Sequence, residues 1–395
     1  MGHAATTRLE IGHGKWLYGP ARRQGCDFFM LSPEDSIEIV AGAAATPEFG
    51  SVHALWAAWQ TGRLPTEKSA DPPVAMPWAA LVAGVLDPLI SQVRDRPHCS
   101  VILATAKGNI AEIESWMADR RQGRNTGKLP ELMSDSVQAV AQQYGLGGPC
   151  YGVSTACTSG LTALIEASEL IASGAASEVV VVAVETITGF TRDGFRSLKA
   201  LTNSTCRPFD KNRDGLALGS AAAACLVRRC EPGSPAADAV ALAGWGMAAD
   251  AVHRTAPDRA AGGLLRAIRS ALNMAGIGPE AIDAVVLHGT GTRYNDDMEA
   301  TAMRTLFSHR PALTGVKGLI GHTLGAAGLI ETVLAARCLS TGLAPPMIGL
   351  EQTEYPDLNW TTQCQPARPF KYVLKTASGF GGLNGAVVLS RTGQK

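Results

Sequence analysis

The sequence predicts an α/β protein in which strands and helices alternate over two halves of similar grammar. Three observations carry that expectation. Glu178–Glu185 (EVVVVAVE) holds five valines in eight residues bounded by charge, the pattern of a strand covered on both faces. Tyr151–Ala163 (YGVSTACTSGLTA) runs from a short strand-like segment through a small-residue turn into a long apolar helix reaching about Ser173. Strand-like runs and helix-periodic stretches then keep alternating to the end, an order that lays strands side by side, mainly parallel, under covering helices.

Length and composition set the bounds. With 395 residues the chain can form one large α/β domain or two fused halves with ample core. Hydrophobic residues make up 46% and charged residues 18%, the balance of a well-buried globular protein. Lys+Arg and Asp+Glu number 35 each, so the formal charge cancels and gives no general case for a nucleic-acid partner or an electrostatically held membrane protein. The 9 cysteines are scattered without CxxC or metal-type spacing, and no secretory apolar segment follows the start. Reduced thiols and a cytoplasmic location are therefore expected. The apolar runs Val179–Val184 and Ala221–Val227 are too short to span a bilayer.

In chain order, residues 1–30 are polar and Gly-rich, without a clear element. Ser36–Ala45 and Val52–Trp59 read as helical, followed by a Pro-rich connector through Pro77 and a helix over Ala79–Arg94. Ser100–Ala104 reads as a buried strand, and Ala111–Arg120 and Met133–Gln143 as helices. Ala221–Arg228 reads as a strand closing the first half, and Glu231–Ala237 (EPGSPAA) is the most linker-like stretch, dividing the chain into 1–233 and 234–395. The second half continues with strands at Ala239–Gly244 and Ala284–Leu287 and a helix over Ala260–Ala275 stopped by Gly276. A second strongly apolar helix covers Gly325–Leu339, and closing strands at Val373–Ala377 and Ala386–Arg391 flank the turn Gly379–Gly385.

Cys157 stands where the central helix begins. Unpaired backbone N–H groups and the helix dipole there favour thiolate over thiol, so the position suits a nucleophile of lowered pKa whose own N–H serves an oxyanion. The plain alternative is one more small buried cysteine. Three other stretches bear on the choice: His288–Thr292 (HGTGT) at the C-terminal end of a strand, Lys317–Gly328 (KGLIGHTLGAAG) ahead of a helix, and Gly379–Asn384 (GFGGLN), a turn able to bring backbone N–H groups close to a ligand. None has the spacing of a dinucleotide or P-loop site.

Taken together and in order, these segments resemble the β-ketoacyl synthase family, the carbon–carbon bond-forming enzymes of fatty acid and polyketide assembly. The resemblance covers roughly residues 98–392 and rests on TACTSG around Cys157, CRPFDKNRDG at Cys206–Gly215 and TAPD at Thr255–Asp258. HGTGT followed by Asp296 and Glu299, the run from Lys317 through His322 to Glu331, and GFGGLN complete it. It implies a thiolase-like fold, two similar halves in a five-layer αβαβα sandwich, usually dimeric.

Carried onto this chain, the resemblance makes Cys157 the acyl-accepting nucleophile, with His288 and His322 completing a Cys-His-His site. Lys317 would act behind the histidines with Glu331, and Asp296 and Glu299 would support the loop. Phe380 matches a gating phenylalanine whose N–H joins that of Cys157 in an oxyanion hole. Thr290 and Thr292 match hydroxyls on the phosphopantetheine arm, with Thr255 and Gly381 beside the substrate. Lys199, with Arg196 and Arg192, would dock an acidic acyl carrier protein, or else form a solvated charged loop. A second histidine, rather than asparagine or cysteine, points to the elongating branch that decarboxylates malonyl-carrier substrate. No metal and no dissociable cofactor is implied. The expected partners are the carrier protein and a second copy or a related ketosynthase or chain-length factor.

The chain departs from the family pattern at Gly219-Ser220-Ala221, at Leu383, at Lys107-Gly108-Asn109, and in lacking a recognisable N-terminal strand and Gly-rich opening. None of these departures is expected to touch the triad, and they favour a specialised type II pathway, polyene or polyketide, as much as housekeeping fatty acid synthesis. Phe195 and Met133 are candidates for an acyl channel or dimer seam, though plain core is the favoured reading. Two competing functions are a non-condensing chain-length-factor-like subunit and a cysteine hydrolase or acyltransferase using Cys157 with His288.

Overall fold

A computed structural model of the chain describes residues 36–62, 77–125, 127–130, 133–230, 239–364 and 368–392. The polar opening to residue 30, most of the Pro-rich connector and the boundary at 231–237 lie outside the described residues. The first half runs β1 (Ile37–Ala45), α1 (Val52–Gln60), α2 (Trp78–Leu86), β2 (Ser100–Ala104), α3 (Ile110–Arg121), α4 (Met133–Tyr144) and β3 (Cys150–Val153). It continues through α5 (Ser159–Ala172), β4 (Glu178–Glu185), α6 (Gly189–Ser197) and β5 (Ala221–Arg229). Then come β6 (Val240–Ala249), α7 (Gly262–Ala275), β7 (Ala284–Val286), α8 (Arg293–Leu306) and β8 (Ala312–Thr314). The short α9 (Lys317–Ile320), α10 (Ala327–Thr341), β9 (Tyr372–Ser378) and β10 (Leu383–Arg391) close the chain.

Read outward from its centre, the sheet repeats itself. One side is ordered β1-β5-β4-β2-β3 and the other β6-β10-β9-β7-β8, joined where Ile37–Ile39 pairs with Val240–Leu242. Pairing senses repeat as well. From the centre, each side has two antiparallel ladders, β1/β5 and β5/β4 against β6/β10 and β10/β9. Two parallel ones follow, β4/β2 and β2/β3 against β9/β7 and β7/β8. The mainly parallel sheet expected from the alternation is therefore mixed. Strand runs buried on both faces look alike in either sense, so composition could not separate them.

Alternation along the strands builds the layers. Ile102, Val179, Val181, Ala223, Val373 and Val387 join one core with Leu161, Leu164, Leu329 and Ile330 of α5 and α10. The opposite faces carry Val101, Val180 and Val182 against α2 and α4, and Leu374, Ala386 and Val388 against α7 and α8. Helices α5 and α10 thus lie between the half-sheets, with α2/α4 and α7/α8 outside, which is the five-layer order. Where the central pair cross, a Cβ at Gly160 would sit 2.9 Å from the Leu329 N, and one at Gly328 2.6 Å from the Leu161 N. Only glycine lets these backbones approach so closely.

Other expectations need correction. Ser36–Ala45, expected to be helical, is a strand from Ile37 onward, so the chain does have an N-terminal strand. Its alanines gave a helical reading, but its place between β5 and β6 demands small residues: a Cβ at Gly42 would meet Val333 at 3.1 Å. Tertiary pairing overrides propensity here. The single helix expected over Ala79–Arg94 is α2 followed by a separate 3-10 turn at Ile90–Gln92. Pro88 lies between them, and proline can neither donate to a helix nor leave the preceding residue free to continue one. Elements α6, α8, α9 and β8 were not anticipated. The stretch Leu324–Thr341 is, by length and composition, apolar enough to cross a membrane, contrary to the sequence reading, but 78% of it is buried as a core helix.

Candidate active site

Cys157 lies in a 3-10 turn, Ala156–Thr158, between β3 and α5. The small hydroxyls of TACTSG hold the turn: Ser159 Oγ accepts from the Thr155 N–H at 2.9 Å and donates to the Ala156 carbonyl at 2.6 Å, while Thr158 Oγ1 donates to the Thr155 carbonyl at 2.7 Å. Ala156 takes φ 52°, a left-handed conformation that side chains other than glycine rarely adopt. The other half repeats the corner. Leu324, φ 45°, opens the 3-10 turn Leu324–Ala326 before α10. Residues 155–161 (TACTSGL) thereby match 323–329 (TLGAAGL), and the place of the thiol is taken by Gly325.

The HGTGT loop leaves β7 and is pinned by two carboxylates one turn apart on α8. Glu299 accepts from the His288 and Gly289 N–H groups, both at 2.7 Å. Asp296 accepts from the Thr290 N–H at 3.1 Å and the Phe209 N–H at 2.8 Å. Burial pushes the Asp296 carboxyl up to about 7, and burial likewise raises Glu299. Both therefore work behind the cavity.

Lys317, at the start of α9, is buried and uses all its donors. Its Nζ bonds Glu331 Oε1, the His288 carbonyl at 2.5 Å and His288 Nδ1 at 3.2 Å. An ammonium has no acceptor, so His288 Nδ1 must be the acceptor and its proton sits on Nε2. The His322 ring stands 5.1 Å from that of His288, edge to face at 87°. His322 is fixed through its backbone, its N–H donating to Ala217 at 2.6 Å and its carbonyl accepting from Gly219 at 3.1 Å. Burial, then the Lys317 charge, holds both imidazoles well below the usual histidine range, so both are neutral at pH 7.

A cavity of about 480 Å3 is lined by Cys157, His288, His322 and Phe380. Thr290, Thr292, Thr255 and Lys199 line it too. The two loop threonines bond each other, Oγ1 to Oγ1 at 2.8 Å. The glycine turn closes on the thiol. The Phe380 N–H donates to the Cys157 sulfur, and a Cβ at Gly379 would sit 3.3 Å from the Cys157 N. Gly381 is not among the lining residues; at φ 90° it shapes the turn and its N–H donates to Arg254 at 2.7 Å. Phe195, favoured as plain core, is instead half-buried, lines the cavity and stacks on Phe380 at 5.9 Å. Met133, also favoured as core, is likewise half-buried, against the backbone of Gly152. Of the three basic docking candidates only Lys199 reaches the cavity, while Arg196 pairs with Asp193 at 2.6 Å on α6, the helix that also carries Arg192.

The thiol itself runs against the sequence reading. Burial pushes Cys157 up to about 11, against the pull of the Lys317 ammonium, the Phe380 N–H and the Lys107 ammonium. Desolvation outweighs the corner's stabilisation of thiolate. The departures from the family pattern also lie nearer the triad than expected. Gly219 bonds His322, Leu383 accepts from Gly379, and Lys107 pulls on both Cys157 and His322. Sequence reasoning missed Lys375, Thr376, Arg213 and Glu185. Glu185 is fully buried, accepting from the N–H groups of Ala106 at 2.7 Å and Gly325 at 3.1 Å, with Lys107 at 3.5 Å. A lysine inside the apolar run of β9 and a glutamate ending the valine strand were the signals available.

Fold and cavity together define a thiolase-like α/β protein with a cysteine and two neutral histidines sharing one pocket. The profile described as "Beta-ketoacyl synthase, N-terminal domain" matches residues 74–232 and that described as "Beta-ketoacyl synthase, C-terminal domain" residues 239–351. A polyketide beta-ketoacyl synthase of Streptomyces halstedii is 32% identical over 350 residues, 82% of this chain and 83% of its own. The "3-oxoacyl-[acyl-carrier-protein] synthase 2" of Coxiella burnetii is 36% identical over 265 residues, and the match spans 64% of either chain. Among solved structures, a chain of the ketosynthase–chain length factor complex from Xenorhabdus doucetiae superposes with TM-score 0.78 and 27% identity, covering 90% of this chain and 98% of that one. The chain belongs to the β-ketoacyl synthase family and is an enzyme of the acyltransferase class.

Proposed function

We propose that the protein is an elongating β-ketoacyl-[acyl-carrier-protein] synthase that needs no metal or dissociable cofactor, works in the cytoplasm and serves a type II fatty acid or polyketide pathway. The observation that carries this reading is the shared cavity: one thiol, two neutral imidazoles and two backbone N–H groups around a single space. An acyl group passes from a carrier thioester to the Cys157 sulfur as the carrier C–S bond breaks, and the proton lost by the Cys157 thiol ends on the departing carrier sulfur. Malonyl-carrier substrate then loses CO2, and the electron pair of the broken C–C bond moves onto the thioester oxygen as an enolate. Nε2–H of His288 and a ring N–H of His322 donate to that oxygen, each worth about 3–4 kcal/mol by analogy with oxyanion-hole losses. The enolate carbon attacks the acyl-cysteine carbonyl. The Cys157 and Phe380 N–H groups hold the resulting oxyanion until the C–S bond breaks and sulfur regains its electron pair.

The polar cavity wall of Thr290, Thr292 and Thr255 suits a phosphopantetheine arm, and Lys199 at the mouth suits an acidic carrier. The second chain is proposed to be another copy or a chain-length-factor-like relative, as in the Xenorhabdus complex. The test is mass spectrometry of the protein incubated with an acyl-carrier thioester. An adduct on Cys157, and a β-ketoacyl product when malonyl carrier is added, are expected; a folded protein with neither would defeat the reading. The buried, protonated thiol favours a second reading, a non-condensing partner subunit. That role predicts normal assembly and unchanged pathway output after Cys157→Ala.

A further inference from the structure

Behind the cavity, a second buried lysine joins the network. Lys375 on β9 is fully buried and its Nζ lies 3.0 Å from Glu331 Oε2, the oxygen that Lys317 leaves over. Its Nζ also donates to the Thr376 carbonyl. Thr376 Oγ1 in turn donates to Glu299 Oε1 at 3.2 Å, and the same oxygen accepts from the His288 N–H at 2.7 Å. Since Lys317 bonds both Glu331 and the carbonyl and Nδ1 of His288, the contacts close into a ring. The ring runs from Lys375 through Glu331, Lys317, His288, Glu299 and Thr376 back to Lys375. It holds His288 from three directions: N–H, C=O and ring nitrogen.

We infer that Lys375 is a positioning residue: it closes this ring, fixing Glu331 and through it the Lys317 donor that sets the His288 tautomer. Lys317 and Lys375 face Glu331 from its two oxygens, and Glu299 is the other acid in the ring, so two amino groups meet two carboxyl groups in a buried cluster; burial lowers the Lys375 pKa, against the pull of the Glu331 charge. Without Lys375, one Glu331 oxygen would lose its cation in a dry site, an arrangement that drives rearrangement or protonation. Glu331 would then balance Lys317 alone, and less positive charge would oppose protonation of His288 and His322. Burial, then the Lys317, Lys107 and Lys375 charges in that order, lower the His322 pKa, and burial, Lys317, His322 and then Lys375 lower that of His288.

This inference rests on the condensing reading for its kinetic test only. In the intact protein, Lys375→Met, Glu331→Gln and the double variant are compared. Selective 15N-histidine NMR reads the tautomer and titration of His288 with no substrate present, and steady-state decarboxylation of malonyl carrier reads kcat and KM against pH. In Lys375→Met, His288 is expected to titrate at higher pH and the acid limb of kcat to move with it. At pH 7 kcat should fall about tenfold, as for loss of a group that orients a catalytic ligand, with KM little changed because Lys375 is not in the cavity wall. The kcat losses of the single variants should not multiply in the double variant, since both act through one ring. An unchanged His288 titration in Lys375→Met, or fully multiplicative losses, would overturn the inference. If Lys375→Met does not fold, the double variant set against Glu331→Gln decides it: a His288 titration at higher pH supports the role and an identical one refutes it. Absence of turnover in the wild-type protein would defeat the condensing reading while leaving the NMR result to judge Lys375.

Discussion

The protonation state of Cys157 offers the sharpest test of the site. Burial pushes its thiol up to about 11, whereas a corner thiolate stabilised by a helix N-terminus would titrate below an ordinary cysteine. Relative to an ordinary thiol near 8.5, a value of 11 leaves roughly 300-fold less thiolate at pH 7.5. Alkylation by iodoacetamide, followed residue by residue by mass spectrometry between pH 6.5 and 10, reads this directly; the exposed Cys364 is the internal reference. Slow entry into the cavity scales the rate at every pH but leaves the shape of the profile alone. Cys157 should therefore still be gaining reactivity at pH 10, well past the pH at which an ordinary thiol near 8.5 levels. Lys107→Met, which removes a cation that pulls the thiol down, should slow Cys157 further at every pH in that range. A Cys157 profile that levels below about pH 8 would show that the corner's field outweighs desolvation and would refute the reasoning.

Three further outcomes follow from the packing and the charges. His322→Ala should cut malonyl decarboxylation by about 10²–10³-fold with little change in carrier binding, since it removes one donor to the enolate oxygen; pre-steady-state CO2 release checks it. Gly328→Ala places a methyl group 2.6 Å from the Leu161 backbone N and should cost about 1–3 kcal/mol in urea unfolding, whereas Gly84→Ala, which meets nothing within 4 Å on the solvent side of α2, should not. Arg213→Met strips a buried guanidinium from Asp296, Asp297 and Glu354, so stability should fall by about 3–5 kcal/mol, read by the same unfolding.

What the sequence could disclose follows from what each residue's neighbours are. The valine run of β4 and the apolar segment of β2 announce themselves because short, β-branched runs bounded by polar or charged residues suit strands buried on both faces better than helices. The turns bearing Cys157, His288, His322 and Phe380 are legible because their glycines, hydroxyls and histidines come in a fixed order, and the structure gathers all four around one cavity. Strand β1 was unreadable for the opposite reason: its alanines answer to β5, to β6 and to Val333 of α10, residues far along the chain. Local composition carries no record of such partners. Lys375 fails in the same way. Alone in YVLKTAS it is a lysine in a strand, which sequence reasoning places at an edge or in solvent. Only when α10 brings Glu331 against β9, and α9 brings Lys317 to the other oxygen, does its burial acquire a partner. The thiol follows suit. A helix start argues for thiolate, but the packing of Ile187 and Leu324 around the sulfur is a tertiary fact, and in a dry pocket desolvation is the larger effect. The candidate nucleophile and histidines were thus legible in short motifs, while their protonation states are set by groups that only the fold assembles. That is why the sequence reading picked out candidate residues that the fold gathers around one cavity, yet missed the burial that pushes the Cys157 thiol up.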